Sequence, residues 1–190
     1  PQFAIDPITI AAEIIGAIQT IISRTTSPND SAVLSITKVH AGDAYNVIPE
    51  SAMLSGTVRT FAIDKMQEIE RQMISISEGI SKAHGGTALV EFNTLFLPVL
   101  NEEEATDLAT DVCRDMVGQD NVITTGSAGT GSEDFSFMSN EVPGCYVIIG
   151  NGEDSNALHN PNFDFNDEAL VYGGSFFARV IEKELTLDQV

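Results

Sequence analysis

The chain is short of bases, aromatics and cysteine, and each shortage excludes something. It carries 9 Lys and Arg against 28 Asp and Glu over 190 residues, a formal net charge of −19. A nucleic-acid surface needs clustered cations to neutralise phosphates, so nucleic acid is not an expected partner. There is no Trp and aromatics reach only 7%, while hydrophobic residues make up 43%. A real core is therefore affordable, and it has to be aliphatic. Only Cys113 and Cys145 are present, with no CxxC. That argues against a disulfide scaffold or a structural zinc knuckle and fits a reducing, cytoplasmic setting. No apolar run reads as long enough to cross a membrane and no basic segment opens the chain, so no membrane partner is expected. The first residues, PQFAIDP, lack Met and stand almost against a helix; the sequence reads as cut from a longer one. It contains no internal repeat and no low-complexity tract.

Hydrophobic spacing lays out the elements. Asp6-Pro7 reads as a helix cap and first position, followed by a strongly apolar run from Ile8 to Arg24 at helical spacing. Ala32–Val39 and Ala52–Thr60 alternate as two strands around a polar loop, 41–50. Asp64 reads as the cap of a helix over Lys65–His84, ended by Gly85-Gly86. Thr87–Leu97 reads as a third strand. The order α-β-β-α-β is one strand short of the ferredoxin-like split βαβ sheet, with the absent strand falling just before Pro1. From Asn101 the pattern changes. Asn101 with Glu102, Glu103 and Glu104 reads as a helix start, acids at the positive end of the dipole. The helix runs to about Val117. A short strand at Val122–Thr124, a Gly/Ser/Thr loop over 126–132, a helical turn at SEDFSFM, a buried strand at Cys145–Ile149 and a long polar loop over 150–165 follow. Asn166 caps a last helix to about Leu185. This α-β-loop-β-loop-α order reads as a fragment of a layered α/β sheet. The fold class expected is thus α+β in the first half and α/β in the second.

Few residues are placed to do chemistry. Arg59 lies between Val58 and Phe61 on the second strand, where a buried guanidinium is costly unless an anion meets it. Its planar fork suits a carboxylate, and the carboxamide of Asn46 could donate to the same ligand. On composition alone, a surface arginine on a polar sheet face outweighs that reading. His159 sits in NALHNPNFDF, a loop after a strand, where α/β proteins place ligands. It could serve as a metal ligand or a base, or simply bond locally. Glu133 and Asp134 follow GTGS; they read as acids at a helix start, and a phosphate cradle fits poorly because no Lys accompanies them. His40 and His84 read as having no catalytic part. No Ser, Thr or Cys has a visible base partner, so no catalytic residue is assigned. A metal centre needs at least three protein ligands, and only His159 is a clear candidate.

Five stretches together resemble one family: IDPITIAAEIIGAIQTIISR, HAGDAYNVIPESAMLSGTVRTF, GSEDFSFM, VPGCYVIIGNG and LHNPNFDFND. They run in order through most of the chain and resemble the M20 family of metal-dependent amidohydrolases and peptidases, nearest its hippurate hydrolase and N-acyl-amino-acid amidohydrolase branch. The resemblance implies that residues 1–99 form a lid and dimerisation domain of the split βαβ type, lacking its first strand. Residues 100–190 would be the C-terminal part of a layered catalytic domain. It implies that His159 is a metal ligand, that Asn46 and Arg59 grip the carboxylate end of an N-acyl amino acid, and that Gly131 lines the pocket. Two divalent ions (Zn, Mn, Co or Ni) per complete site and a homodimer through the lid are implied as well. The family's other metal ligands, its general-base Glu and a further His of the lid's first strand have no counterpart here. A truncated, inactive portion of such an enzyme is therefore expected. A non-catalytic dimerisation or ligand-binding module built on the first domain is the other reading.

Overall fold

A computed structural model describes residues 1–126, 129 and 131–185. The chain divides into two compact units, Pro1–Pro98 with Thr130–Ser132, and Val99–Gly129 with Glu133–Val190.

The first unit begins with α1, Pro7–Thr20. Asp6 caps it as expected, its carboxylate accepting from the Ile8 N–H at 2.9 Å and the Thr9 N–H at 3.4 Å. The helix widens into a π turn over Ile21–Thr25. There the Ile21 carbonyl accepts from the Thr26 N–H at 3.0 Å and from the hydroxyls of Thr25 and Thr26 at 2.7 and 2.9 Å. Three donors on one carbonyl close the wide turn. Strands β1, Ala32–His40, and β2, Met53–Thr60, pair antiparallel, with an irregularity between Ile36 and Lys38. A Cβ on Gly56, opposite Ile36, would run into the Ser35 carbonyl, so only glycine fits beside this bulge.

Helix α2 spans Ile63–Ala83. Its N-cap is Ala62, with no side-chain bond, and Asp64 lies inside the first turn, where its carboxylate meets the Lys65 N–H at 2.8 Å. The expected cap was thus two residues late. The C-terminus closes as a Schellman motif. The Gly86 N–H reaches the Ser81 carbonyl at 2.8 Å, the Gly85 N–H reaches that of Lys82 at 3.0 Å, and Gly85 takes φ +79°.

Ile10, Ile14, Ile18 and Ile21 form one stripe, and with Leu34 and Ile69 they are the buried heart of this unit. Ile36, Leu54 and Val58 from the hairpin and Met73, Ile76 and Ile80 from α2 pack around them. Both helices therefore cover the same face of the hairpin. Pro7–Thr25 is, by length and composition, apolar enough to cross a membrane, which corrects the expectation that no run qualifies. Its isoleucine stripe is buried in this core, as in a core helix.

The expected third strand, 87–97, forms no ladder among the described residues. Burial still alternates, with Ala88, Val90 and Phe92 half-buried and Leu89, Glu91 and Asn93 exposed. That is the signature of an extended chain, but a strand also needs a hydrogen-bonded neighbour. The Thr94 hydroxyl lies 4.0 Å from the Met66 sulfur of α2.

The second unit holds α3, Glu103–Val117, α4, Phe135–Glu141, and α5, Ala169–Glu184. The cap of α3 is Glu102, one residue after the expected Asn101, and its carboxylate accepts from Glu104 N–H at 3.1 Å and Ala105 N–H at 2.8 Å. Those two bonds hold its carboxyl below the ordinary range. Gly118, with φ +85°, follows the helix. Helix α3 packs against α5, burying Val112 and Ala109, and Lys183 lies 3.7 Å from Asp111 and 3.9 Å from Asp115. Asn166 accepts from the Glu168 N–H at 3.0 Å, capping a turn that precedes α5.

Neither Val122–Thr124 nor Cys145–Ile149 forms a ladder among the described residues. The second is also not buried, since Ile148 is 84% exposed. A central strand is buried only when sheet neighbours and covering helices supply both faces. The described residues of this unit supply no neighbouring strand. The expected layered sheet is therefore represented by its helices and by extended segments.

Candidate functional site

In the first unit the register of the hairpin decides where the polar residues face. Arg59 pairs with Val33, Thr57 with Ser35, Ser55 with Lys38 and Met53 with His40. These pairs share the face away from the core, because Val58, Gly56 and Leu54 alternate onto the other. Arg59 is thus exposed rather than buried, which corrects the premise that first singled it out. The same outward face carries Lys38 and His40, so basic side chains gather there in a chain of net charge −19.

Asn46 lies in the loop between the strands, exposed, beside Tyr45 and Val47, which are exposed too. The loop is drawn in at its base, where Gly42, at φ +72°, sits against the ring of Pro49. Arg59 is six residues up β2 from Met53, at the other end of the ladder. At the usual strand rise that is about 20 Å. Both were expected near the open side of one hairpin, thirteen positions apart; the ladder puts Arg59 at the end away from the loop that holds Asn46.

In the second unit His159 is exposed and has φ +69°, the one non-glycine residue with positive φ among those described. The turn Ala157–Asn160, closed by the Asn160 N–H on the Ala157 carbonyl at 3.1 Å, makes His159 its third residue. That position commonly goes to glycine, and a side chain there costs about 1–2 kcal/mol. Strain of this kind gathers at functional sites, because a rigid surround has to hold it.

The surround is a set of asparagines. The Asn151 side chain donates to Ser155 Oγ at 2.6 Å and to the Asp164 carbonyl at 2.8 Å, and accepts from the Asn166 N–H at 2.8 Å. Asn156 donates to the Asn162 carbonyl at 3.0 Å, and Asn160 accepts from the Asn162 N–H at 2.9 Å. These residues escaped the sequence reading. The signal was the run NGEDSNALHNPNFDFN, whose asparagines are denser than a plain loop requires. Glu153, Asp154, Asp164 and Asp167 line an open hollow of about 490 Å³ in the same loop, and His159 is not among its lining residues.

Among the described residues no group of three or more His, Cys, Asp or Glu could hold a metal. His159 offers one imidazole, and the described residues around it do not complete a centre. Gly131 is exposed at the end of the Gly/Ser/Thr loop; Ser127, Ala128 and Thr130 of that loop lie outside the described residues.

Comparison with known proteins gives the family. Peptidase family M20/M25/M40 matches residues 7–183, and the chain belongs to that family. It is 34% identical over 181 residues to the N-acetylcysteine deacetylase of Bacillus subtilis, covering 95% of this chain and 46% of that protein. It is 32% identical over 185 residues to the hippurate hydrolase of Campylobacter jejuni, covering 97% and 48%. Among solved structures it is similar to the YXEP protein of Bacillus subtilis, a dinuclear metal-binding M20 peptidase. That match has a TM-score of 0.79 and 30% identity, over 98% of this chain and 48% of that one. The chain thus spans about half the length of the relatives it matches.

Proposed function

We propose that this chain is part of a metal-dependent amidohydrolase that cleaves the amide bond of N-acyl amino acids, releasing a carboxylic acid and an amino acid. The observation that carries this reading is the family match over residues 7–183, whose relatives include enzymes named for hydrolysing N-acetylcysteine and hippurate. Both are amides of an amino acid with a free carboxylate.

The first unit serves as the lid. Arg59 meets the substrate carboxylate with its two-pronged donor fork, on a hairpin face that also carries Lys38 and His40. Asn46 is proposed as a separate substrate contact from the hairpin loop, too far along the ladder from Arg59 for both to grip one carboxylate, and the backbone of Gly131 lines the pocket. The open ladder edges of a two-stranded sheet suit pairing with a second copy, so the same unit is the proposed dimer surface. In the second unit His159 gives one nitrogen to a divalent ion. The described residues do not fit a complete metal centre, and the remaining donors and the proton-transfer group belong to other parts of the active protein.

The test is kinetic, on the active full-length protein that contains this chain. Arg59→Ala should raise KM on hippurate-like acids and leave matched neutral amides nearly unaffected. Equal losses on both would remove Arg59 from the carboxylate. Activity confined to substrates that are not amides would end the hydrolase reading. A lid-derived dimerisation module would show pairing of the chain with no turnover in any form.

A further inference from the structure

The segment 151–166 contains no helix or strand, yet one side chain joins its two ends. A loop of this length without regular structure has closure entropy to lose and is uncommon unless it serves a function. The Asn151 Nδ2 donates to Ser155 Oγ at 2.6 Å, four residues on, and to the Asp164 carbonyl at 2.8 Å, thirteen residues on. Its Oδ1 accepts from the Asn166 N–H at 2.8 Å, fifteen residues on. Both amide protons and the carboxamide oxygen are thus in use. Burial follows the same plan. Asn151, Ser155 and Asn166 are half-buried, as is Phe163, and the rest of the segment is exposed. His159 lies between these ends, in a turn closed by the Asn160 N–H on the Ala157 carbonyl at 3.1 Å. A second turn follows directly, closed by the Phe163 N–H on the Asn160 carbonyl at 2.9 Å.

We propose that Asn151 is a positioning residue: by fastening both ends of the 151–166 loop to one carboxamide, it holds the left-handed backbone of His159 in place. A left-handed histidine persists only where its surroundings fix it. Fastening the loop ends removes much of the freedom through which the turn would relax, before any ligand arrives. Asparagine is specific to the task. Aspartate would keep the shape and the acceptor for the Asn166 N–H, but its carboxylate has no proton for the Asp164 carbonyl. It would also add a charge to a hollow already lined by Glu153, Asp154, Asp164 and Asp167. As a statement about a metal donor the proposal rests on the role given to His159 above. As a statement about the loop it does not, and the experiment below involves no metal.

The test is nuclear magnetic resonance on the 190-residue chain. Asn151→Asp should speed exchange of the Asn160, Asn162 and Phe163 amides by about tenfold, the factor expected when a pair of neutral hydrogen bonds is lost. The His159 amide signal should move toward its position in an unstructured peptide. Exchange in α3 and α5 should stay as it is. Asn151→Ala, which gives up the Asn166 bond as well, should show the larger change at the same amides. A merely structural bond would lower protection across α3 and α5 and leave the His159 signal where it was. That pattern overturns the proposal, as does unchanged exchange at the three loop amides in Asn151→Asp. If Asn151→Ala fails to fold, Asn151→Asp alone decides. Failure of Asn151→Asp to fold also overturns it, since the effect is confined to the loop.

Discussion

The two units use their apolar residues in opposite ways. The first turns several inward: three isoleucines of α1 and Ile21 of the π turn meet Leu34, Ile69 and a shell from the hairpin and α2. The second leaves them outside. Helix α5 exposes Leu170, Val171, Tyr172, Phe177 and Ile181, and the extended segment after Cys145 exposes Val147 and Ile148. A helix hydrophobic around much of its surface belongs inside a larger assembly. The contrast teaches that matching a family along its length is different from owning a core. The first unit closes a core around its isoleucine stripe, while the second leaves much of α5 exposed.

Mutations can break or sharpen that contrast. Ile69 is 1% exposed at the centre of the first core, so Ile69→Ala should cost about 2–5 kcal/mol in chemical denaturation. Gly85 ends α2 with φ +79°, and Gly85→Ala should cost about 1–2 kcal/mol. Asp6→Ala removes the α1 cap and should cost about 1 kcal/mol. In the second unit Glu102→Ala should weaken α3 at neutral pH. The carboxyl is held low when folded, so its share of stability is present above its unfolded range and is lost as pH falls through its folded value. Wild type and variant should therefore converge in acid when α3 helicity is followed. The smallest effect is expected from Leu170→Ala on α5, within about 0.5 kcal/mol because the side chain is already exposed. A Leu170→Ala loss as large as that of Ile69→Ala would erase the distinction between the units.

Much of this was legible in the residues. The Asp6-Pro7 start, the isoleucine stripe and the Gly85-Gly86 stop are local signals, and local geometry obeyed them. The strands at 87–97 and 145–149 were read from alternation and apolar runs. Those patterns report the wish for a neighbour, and a ladder forms only where one exists. Arg59 misled differently: apolar flanks suggested burial, whereas register alone decides which face a strand residue takes. His159 was found by its loop, but its left-handed backbone and the asparagines that hold it come from turn geometry that no spacing rule displays.

The central proposal is that this chain brings one metal donor, His159, to a centre that its described residues do not complete. Equilibrium dialysis of the 190-residue chain against zinc, compared with His159→Asn, which keeps the strained turn accessible, tests it most directly. The expected result is no tightly held zinc on either protein. Two equivalents retained by the wild-type chain and lost in His159→Asn, with hydrolysis of an N-acyl amino acid by the wild-type chain alone, would contradict it.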